Sequence, residues 1–410
     1  MKCDVLVVGA GASGSVAALS LSKKGFDVVV VEKCKKVGDH TQNKIDITED
    51  VGLKKIIKEL KLPIKDKTNK TRWFSPNYSF SLKSKIYDLY FKRGASEDCF
   101  EVEVINSAQD NGAKLFLNSN PKNINFKNNY VDSVIIKNNG KNYVIKPKII
   151  IAADGFNSSM LNLLDLRMYE QRVVTFAGYG ISGQNFDLPP SVTHIFFDRK
   201  NAPGGYFYIA KSCDGEGVAC VVVDQSMNNR DIREHYLRII KGNEHIREIL
   251  KNSIVKTTFQ GKSHAGLLKK HLQRNVIFVG DAARTLDPIL GYGVRNSIIS
   301  AHIAADLTSN AIETNKLNKI LEYESKIAPL VANINYSNYM RHIFRYLDNK
   351  DFDSIIKILN DLQEDGADLD EIISEKPLLI KHILLNFPRS MRLISKVGLS
   401  FLRKQNIKKE

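Results

Sequence analysis

Cysteine is scarce in this sequence. Five of 410 residues are Cys (Cys3, Cys34, Cys99, Cys213, Cys220), an odd number with neither CxxC nor metal-ligand spacing. That argues against a disulfide framework and against a metal site, and it points to a reducing, cytoplasmic compartment. No apolar run approaches the ~18 residues of a membrane span, and the N-terminus enters a strand with no basic leader before it. The chain is therefore expected to be soluble or peripheral to a membrane. Tandem repeats and nucleic-acid motifs are also missing, so nucleic acid is set aside as a partner. A net charge of +15 suits an anionic partner such as a lipid surface or a phosphorylated substrate, but the lysines are scattered and a Lys- and Asn-rich composition also accounts for it. With 43% hydrophobic residues the chain can bury a large core, and its length predicts two or three structural units.

What is present begins with a βαβ pattern: a strand over Asp4–Val8, a helix over Ser13–Lys24 and a second strand over Asp27–Val31. The turn Gly9-Ala10-Gly11-Ala12-Ser13-Gly14 is a GxGxxG between strand and helix. Its first glycine permits the tight turn, its second lets backbone reach a pyrophosphate, and its third lets the helix pack closely. Glu32, at the end of the second strand, is placed to bind both ribose hydroxyls of an adenosine. Gly9, Gly11, Ser13, Gly14, Glu32 and Lys33 are thus candidate dinucleotide contacts. The polar loop after Glu32 carries Gly38, His40, Lys44 and Asp46. Such a loop can fold back over the cofactor, which makes His40 and Lys44 candidates for its reactive end, or it can be a solvated loop.

A second anchor lies far downstream, in Asn275–Leu307. An apolar strand over Val276–Val279 delivers Asp281 to the carboxyl edge, where open α/β sheets bind ligands. Pro288, Gly291, Gly293, Val294 and Asn296 follow, then a small-residue helical run (Ser297, Ser300, Ala301, Ala304, Ala305). Glycines let amides approach a flat ligand, and a helix start adds partial positive charge. Amides there would stabilise a reduced flavin, and Asp281 would accept from a ribityl hydroxyl. An ordinary strand, turn and helix with a solvated Asp is the plainer alternative.

Between the anchors, residues 50–62 read as an amphipathic helix and Trp73–Leu82 as an aromatic strand lining a second domain. A helix runs from Asp98 to Asn111, a short strand covers Leu115–Leu117, and a hairpin turns at Asn138-Asn139-Gly140. A buried strand over Lys148–Ala153 ends in Asp154-Gly155. A meander before such a strand is the plan of large FAD-binding domains. Residues 165–265 lack the βα rhythm and read as an antiparallel sheet, with strands at Val173–Ile181, His194–Asp198, Gly205–Ala210 and Gly217–Asp224. Residues 315–405 read as mostly helical. Pro377–Lys409 mixes apolar and basic residues, which fits either an amphipathic helix at a membrane surface or one docked on its own domain.

With these pieces placed, the chain resembles the FAD-dependent geranylgeranyl reductase family, itself similar to the aromatic hydroxylase-type flavoproteins. The matching residues are Gly9–Gly14 with Glu32, Arg93-Gly94 ahead of a helix, Asp154-Gly155 with Ser158, Gly280-Asp281-Ala282-Ala283 with Pro288, and Gly291-x-Gly293-Val294-Arg295. Pro203-Gly204-Gly205-Tyr206-Phe207-Tyr208-Ile209-Ala210-Lys211 is similar to the reductases' PGGYxWxFP segment, with Tyr208 for the Trp, Ala210 for the Phe and Lys211 for the Pro. The family's Arg-Cys pair is absent from the loop Gly38–Lys44. Arg284 stands where the reductases commonly have Gly; it reads either as an anion contact at a pocket mouth or as an exposed loop residue.

The resemblance implies a Rossmann-like FAD-binding domain with an inserted antiparallel-sheet substrate domain and a helical C-terminal region, an α/β plan shared with glutathione reductase and the aromatic hydroxylases. The expected bounds are 1–160 and 270–310 for the FAD-binding parts (with part of the substrate region near 63–90), 165–265 for the sheet domain and 315–410 for the helical region. It implies FAD as cofactor, with Glu32 on the adenosine ribose, Arg93 near the pyrophosphate, Asp281 on the ribityl chain, Gly293 and Val294 at the ring, and Gly291 among the cofactor-binding residues. The expected reaction is reduction of carbon–carbon double bonds in a geranylgeranyl or polyprenyl lipid. Tyr206 and Tyr208 are candidate proton donors, and aromatic core packing is the other role open to them. With no second GxGxxG, the electron donor is expected to be transiently bound NAD(P)H or a small redox protein. A flavin-dependent aromatic hydroxylase and a non-catalytic flavin-binding protein are the rival readings.

Overall fold

The computed structural model describes residues 1–366 other than 40, 42, 43 and 167–169, together with Asp368. It divides into two compact units. The first is made of Met1–Lys65, Tyr90–Val174 and Ser263–Tyr336, the second of Asp66–Leu89, Thr175–Lys262 and the described residues from Ser337 onward.

In the first unit the strands lie in the order Leu272–Gln273, Val276–Phe278, Lys141–Ala152, Lys2–Val8, Val28–Val31, Lys114–Phe116. All neighbours but the edge pair Leu272–Gln273/Val276–Phe278 are parallel. Val5–Val8, Val28–Val31, Ile149–Ala152 and Val276–Phe278 are buried throughout, as strands covered on both faces require. Ser119–Lys127, Tyr130–Asn138 and the first half of Lys141–Ala152 form an antiparallel meander. Its last turn, Asn139-Gly140, has both residues at positive φ (46° and 86°), which is the geometry a tight hairpin demands. The helix Ala12–Ser22 is buried at every position and packs against Val294–Glu313 and Phe100–Asp110. Both it and Val294–Glu313 are rich in small buried residues, Gly14, Ala17 and Ala18 in one and Ser297, Ser300, Ala301 and Ala304 in the other, which lets helices pack closely.

The helix read over 50–62 is shorter, Lys54–Leu60, because Gly52 (φ 78°) turns the chain just before it. Trp73–Leu82 is not one strand. Ser75 and Tyr78 close a turn around Pro76-Asn77, so the aromatics are divided between Asp66–Phe74 and Ser79–Arg93.

The second unit's sheet runs Ile254–Leu268, Glu170–Gln184, Gly217–Asp224, Tyr206–Lys211, Val192–Phe196, Asp66–Phe74, Ser79–Arg93. It is antiparallel at its centre, and Val192–Phe196 pairs in parallel with Asp66–Phe74, which arrives from much earlier in the chain. The helices Ile232–Gly242 and Glu244–Leu250 were not foreseen. They lay Ile232, Tyr236, Ile239, Ile246 and Ile249 on Ala177, Phe207, Ile209 and Val221. Their signal was Asp231 and Asn243, whose side chains accept from the first-turn amides of Arg233 and Ile246. Of the stretch read as helical after 315, Leu317–Glu322 is a 3-10 turn, and Tyr323–Tyr346 and Asn349–Glu364 are helices; Pro377–Lys409 lies outside the described residues.

A buried ion cluster fastens the second unit. Asp224 Oδ2 accepts from Arg341 Nη2 at 2.7 Å and Arg345 Nε at 2.8 Å, with Asp224 and Arg341 fully buried. Burial works against the Asp224 charge, but the Arg345 and Arg341 hydrogen bonds outweigh it and hold the carboxyl below its ordinary range. Asp224→Ala should therefore cost about 3–5 kcal/mol by stranding a buried guanidinium, seen as a lower melting temperature. A carboxyl lowered by folding stabilises above its unfolded pKa, so the wild-type advantage over Asp224→Ala should shrink as pH falls below about 4.

Candidate cofactor site

The glycine turn owes its residues to backbone contacts. Gly9 has φ 98°, and a Cβ there would lie 2.4 Å from the Ala153 carbonyl oxygen; one on Gly14 would lie 1.9 Å from the Gly9 carbonyl oxygen. Gly11 is different. It faces open space and forms the N-cap of the first helix with no side chain capping the amides. Those amides are donors that an anion can take up. Glu32, 4% exposed, ties the turn to the second strand: Oε2 accepts from the Ala10 amide at 2.8 Å and Oε1 from the Cys34 amide at 2.9 Å. Each oxygen keeps a second lone pair for a ribose hydroxyl. Ser13 is buried and packs at Gly280, while Lys33 is exposed.

The loop after Glu32 closes on Gly94: a Cβ on Gly38 would meet the Gly94 carbonyl oxygen at 1.9 Å. Beside it, Arg93 donates Nε to Glu101 and Nη1 to Asp46 at 2.9 Å, and Lys44 reaches Asp46 at 2.9 Å. Burial opposes the Arg93 charge, but Glu101 and Asp46, with Asp281 adding to them, raise its pKa. Among the described residues nothing accepts from Nη2. Sequence reasoning singled out Arg93 and Lys44 but missed Glu101, the fully buried acid that aims the guanidinium. Its signal was an acid in the first turn of a helix, beside the buried Phe100. His40 lies outside the described residues.

At the second anchor, Val276–Phe278 leads into the short turn Gly280–Ala283. Gly280 (φ 58°) admits no side chain, since a Cβ would lie 2.6 Å from Ser13 Oγ and 3.0 Å from Ser297 Oγ. Three elements meet there. Asp281 is half-buried, and among the described residues nothing donates to its carboxylate. Burial raises its pKa, against Arg284, Arg93 and Lys44. Asp287 accepts from the Ile289 and Leu290 amides at 2.9 Å each and shapes the turn that carries Gly291 (φ 72°) to Gly293. Gly293 is the N-cap of Val294–Glu313, again without a side-chain cap, and a Cβ on it would lie 2.9 Å from Leu286 Cδ1 and 3.5 Å from Asp281 Oδ1. Asn296 donates to the Thr285 carbonyl at 2.6 Å and fixes the loop. Arg284 is not an exposed loop residue: it is 2% exposed.

One unit thus holds a pyrophosphate-type turn, a ribose-type acid, an arginine with a donor to spare, and a second uncapped helix start behind an acceptor carboxylate. A family of proteins described by its FAD-binding domain matches residues 2–335. The chain belongs to that family. FAD is its cofactor, and the donor set fits both of its ends.

The chain is 28% identical over 378 residues to a digeranylgeranylglycerophospholipid reductase of Methanosarcina acetivorans, covering 90% of this chain and 91% of that one. It is 26% identical to the protein of the same name from Methanocaldococcus jannaschii, over 92% and 97% of the two chains. A geranylgeranyl bacteriochlorophyll reductase-like protein of Thermoplasma acidophilum superposes with TM-score 0.79 at 22% identity, covering 97% of this chain and 99% of that one. A probable FAD-dependent monooxygenase of Pseudomonas aeruginosa superposes at 0.67 and 17% identity, over 86% and 99%. At those identities the two structures share the fold alone.

In the second unit, the glycines of the Pro203–Lys211 segment have a packing role. A Cβ on Gly205 would lie 1.8 Å from the Val222 carbonyl oxygen, and one on Gly204 (φ 66°) 2.4 Å from Asp224 Cβ. Tyr206 and Tyr208 share one face of the strand, rings 6.1 Å apart, and Phe207 and Ile209 fill the core on the other. Tyr206 is buried and Tyr208 half-buried. Lys211, which replaces the reductases' Pro, donates to the carbonyls of Phe186 (3.0 Å) and Leu188 (2.9 Å).

Two substitutions test the site. Glu32→Ala should weaken FAD binding by roughly ten- to a hundredfold, the worth of a charged-acceptor hydrogen bond of about 1.5–3 kcal/mol. Gly14→Ala should yield colourless protein, because its Cβ cannot coexist with the Gly9 carbonyl. Both are read by FAD titration and visible absorbance.

Proposed function

We propose that this chain is an FAD-dependent reductase that saturates carbon–carbon double bonds in the polyprenyl chains of a geranylgeranyl lipid. The observation that carries this is the 28% identity to a digeranylgeranylglycerophospholipid reductase over nine-tenths of both chains, supported by the reductase-like Pro203–Lys211 segment. Bound FAD, once reduced by the electron donor, would supply the hydride. The protein's share is to hold the cofactor, orient the lipid and provide a proton. Glu32 and the amides after Gly11 hold the adenosine and pyrophosphate, and Asp281 holds the ribityl chain. An unactivated alkene is a poor hydride acceptor, so a proton must reach one carbon as the other is reduced. Tyr208 is an apolar-set phenol suited to this: its strand neighbours are Ile195 and Cys220. Tyr206 is the other candidate.

The donor of electrons is NAD(P)H or a small redox protein. Anionic membrane is the proposed working surface. Among the described residues no helix is long and apolar enough to cross a membrane; the proposed contact is the basic segment with Arg389, Arg392, Lys396, Arg403 and Lys404, where each residue near an anionic leaflet contributes about 1 kcal/mol. Flotation with anionic but not neutral vesicles, lost on deleting residues 386–410, is the expected result; equal flotation with both rejects it.

Reduced protein given a geranylgeranyl phospholipid without oxygen should yield lipid heavier by a pair of hydrogens for each bond reduced. Product carrying an oxygen atom from labelled dioxygen would make the chain a hydroxylase instead. Replacing the phenol that donates, Tyr208 or Tyr206, with Phe should slow reduction by about 10²–10⁴-fold; full activity in both variants would place the proton source elsewhere.

A further inference from the structure

Arg284 is an expensive residue where it stands. Its backbone is left-handed (φ 60°, ψ 39°), a conformation that costs a side-chain-bearing residue about 1–3 kcal/mol and glycine almost nothing. Its side chain is 2% exposed, so a cation is desolvated as well. Glycine would remove both penalties. Something the arginine does must offset them.

The guanidinium reaches back to its own turn: Nη1 donates to the Asp281 carbonyl at 2.6 Å. That fixes a positive charge in the turn that bears the half-buried Asp281, to whose carboxylate no described residue donates. Four charged groups act on this carboxyl: Arg284, Arg93, Lys44 and the opposing Asp46. Arg93 is committed to Glu101 and Asp46, and Lys44 to Asp46. Arg284 alone among the cations is bonded to the Asp281 residue.

We propose that Arg284 is a positioning residue for the cofactor, its buried guanidinium keeping Asp281 ionised so that the carboxylate can accept from the ribityl hydroxyls of FAD. Burial alone drives this carboxyl toward its neutral form, and Arg284 is the largest influence against that. A neutral carboxyl offers weaker, uncharged hydrogen bonds. Without Arg284 the carboxyl should take up a proton nearer neutrality, and FAD affinity should be present above that pH and lost below it. The proposal rests on FAD binding and not on the lipid reaction, so the readout is affinity.

The test is FAD titration of apo-protein by flavin fluorescence from about pH 8.5 to 6. Wild type and Arg284→Lys should vary less than about twofold over that range, and Arg284→Gly should lose about tenfold toward the acid end. Arg284→Gly suits the left-handed backbone, so folding is not the obstacle. The double variant Arg284→Gly, Asp281→Asn should bind weakly but evenly across the range. A flat profile for Arg284→Gly, a sloping one for Arg284→Lys, or a slope surviving in the double variant overturns the proposal. The FAD site is judged separately by wild-type binding at the alkaline end.

Discussion

The first unit depends on backbone touching backbone. At Gly9 and Gly14 an added Cβ would fall within 2.4 Å of a backbone oxygen, so the first strand, its helix and the end of the Lys141–Ala152 strand converge backbone to backbone, and at Gly280 one would fall 2.6 Å from the Ser13 hydroxyl. That convergence sets the two uncapped helix starts, at Gly11 and Gly293, in one unit. Dispersion between such close surfaces is small per atom pair and large in sum. It also leaves helix-start donors that an anionic or polar ligand can take up.

Around this frame the charges alternate. Lys44, Asp46, Arg93 and Glu101 form a continuous chain of ion pairs within the first unit. In a half-buried setting such a chain costs desolvation and returns most of it only when every member is paired. Its return is direction: Glu101 and Asp46 engage two of the guanidinium's three nitrogens and fix where Nη2 points. Arg93, Lys44 and Asp46 of this set also act on Asp281, an acceptor to which no described residue donates.

How much was legible in the sequence follows from the range of each interaction. The glycine turn, Glu32 and the Gly280–Val294 stretch are local patterns whose spacing encodes a backbone path, and they could be read directly. The FAD-binding fold and its cofactor followed from combining them. The Gly38–Gly94 contact and the pairing of Glu101 with Arg93 depend on tertiary approach; Glu101 is visible as a first-turn acid, but nothing in the spacing joins it to Arg93. The two helices after Asp231 sit inside a stretch of strand rhythm, and only their Asp231 and Asn243 caps mark them in the sequence. For Arg284 the sequence leaves pocket mouth and exposed surface open, and its burial decides against the surface.

The account's central claim is that this FAD protein passes its electrons to an isolated double bond. The direct measurement is anaerobic stopped-flow absorbance of the pre-reduced protein mixed with a geranylgeranyl phospholipid. Return of the oxidised flavin spectrum before any oxygen is admitted, saturating with lipid, is the predicted result. A flavin that stays reduced beside the lipid and reoxidises only when oxygen enters would contradict it.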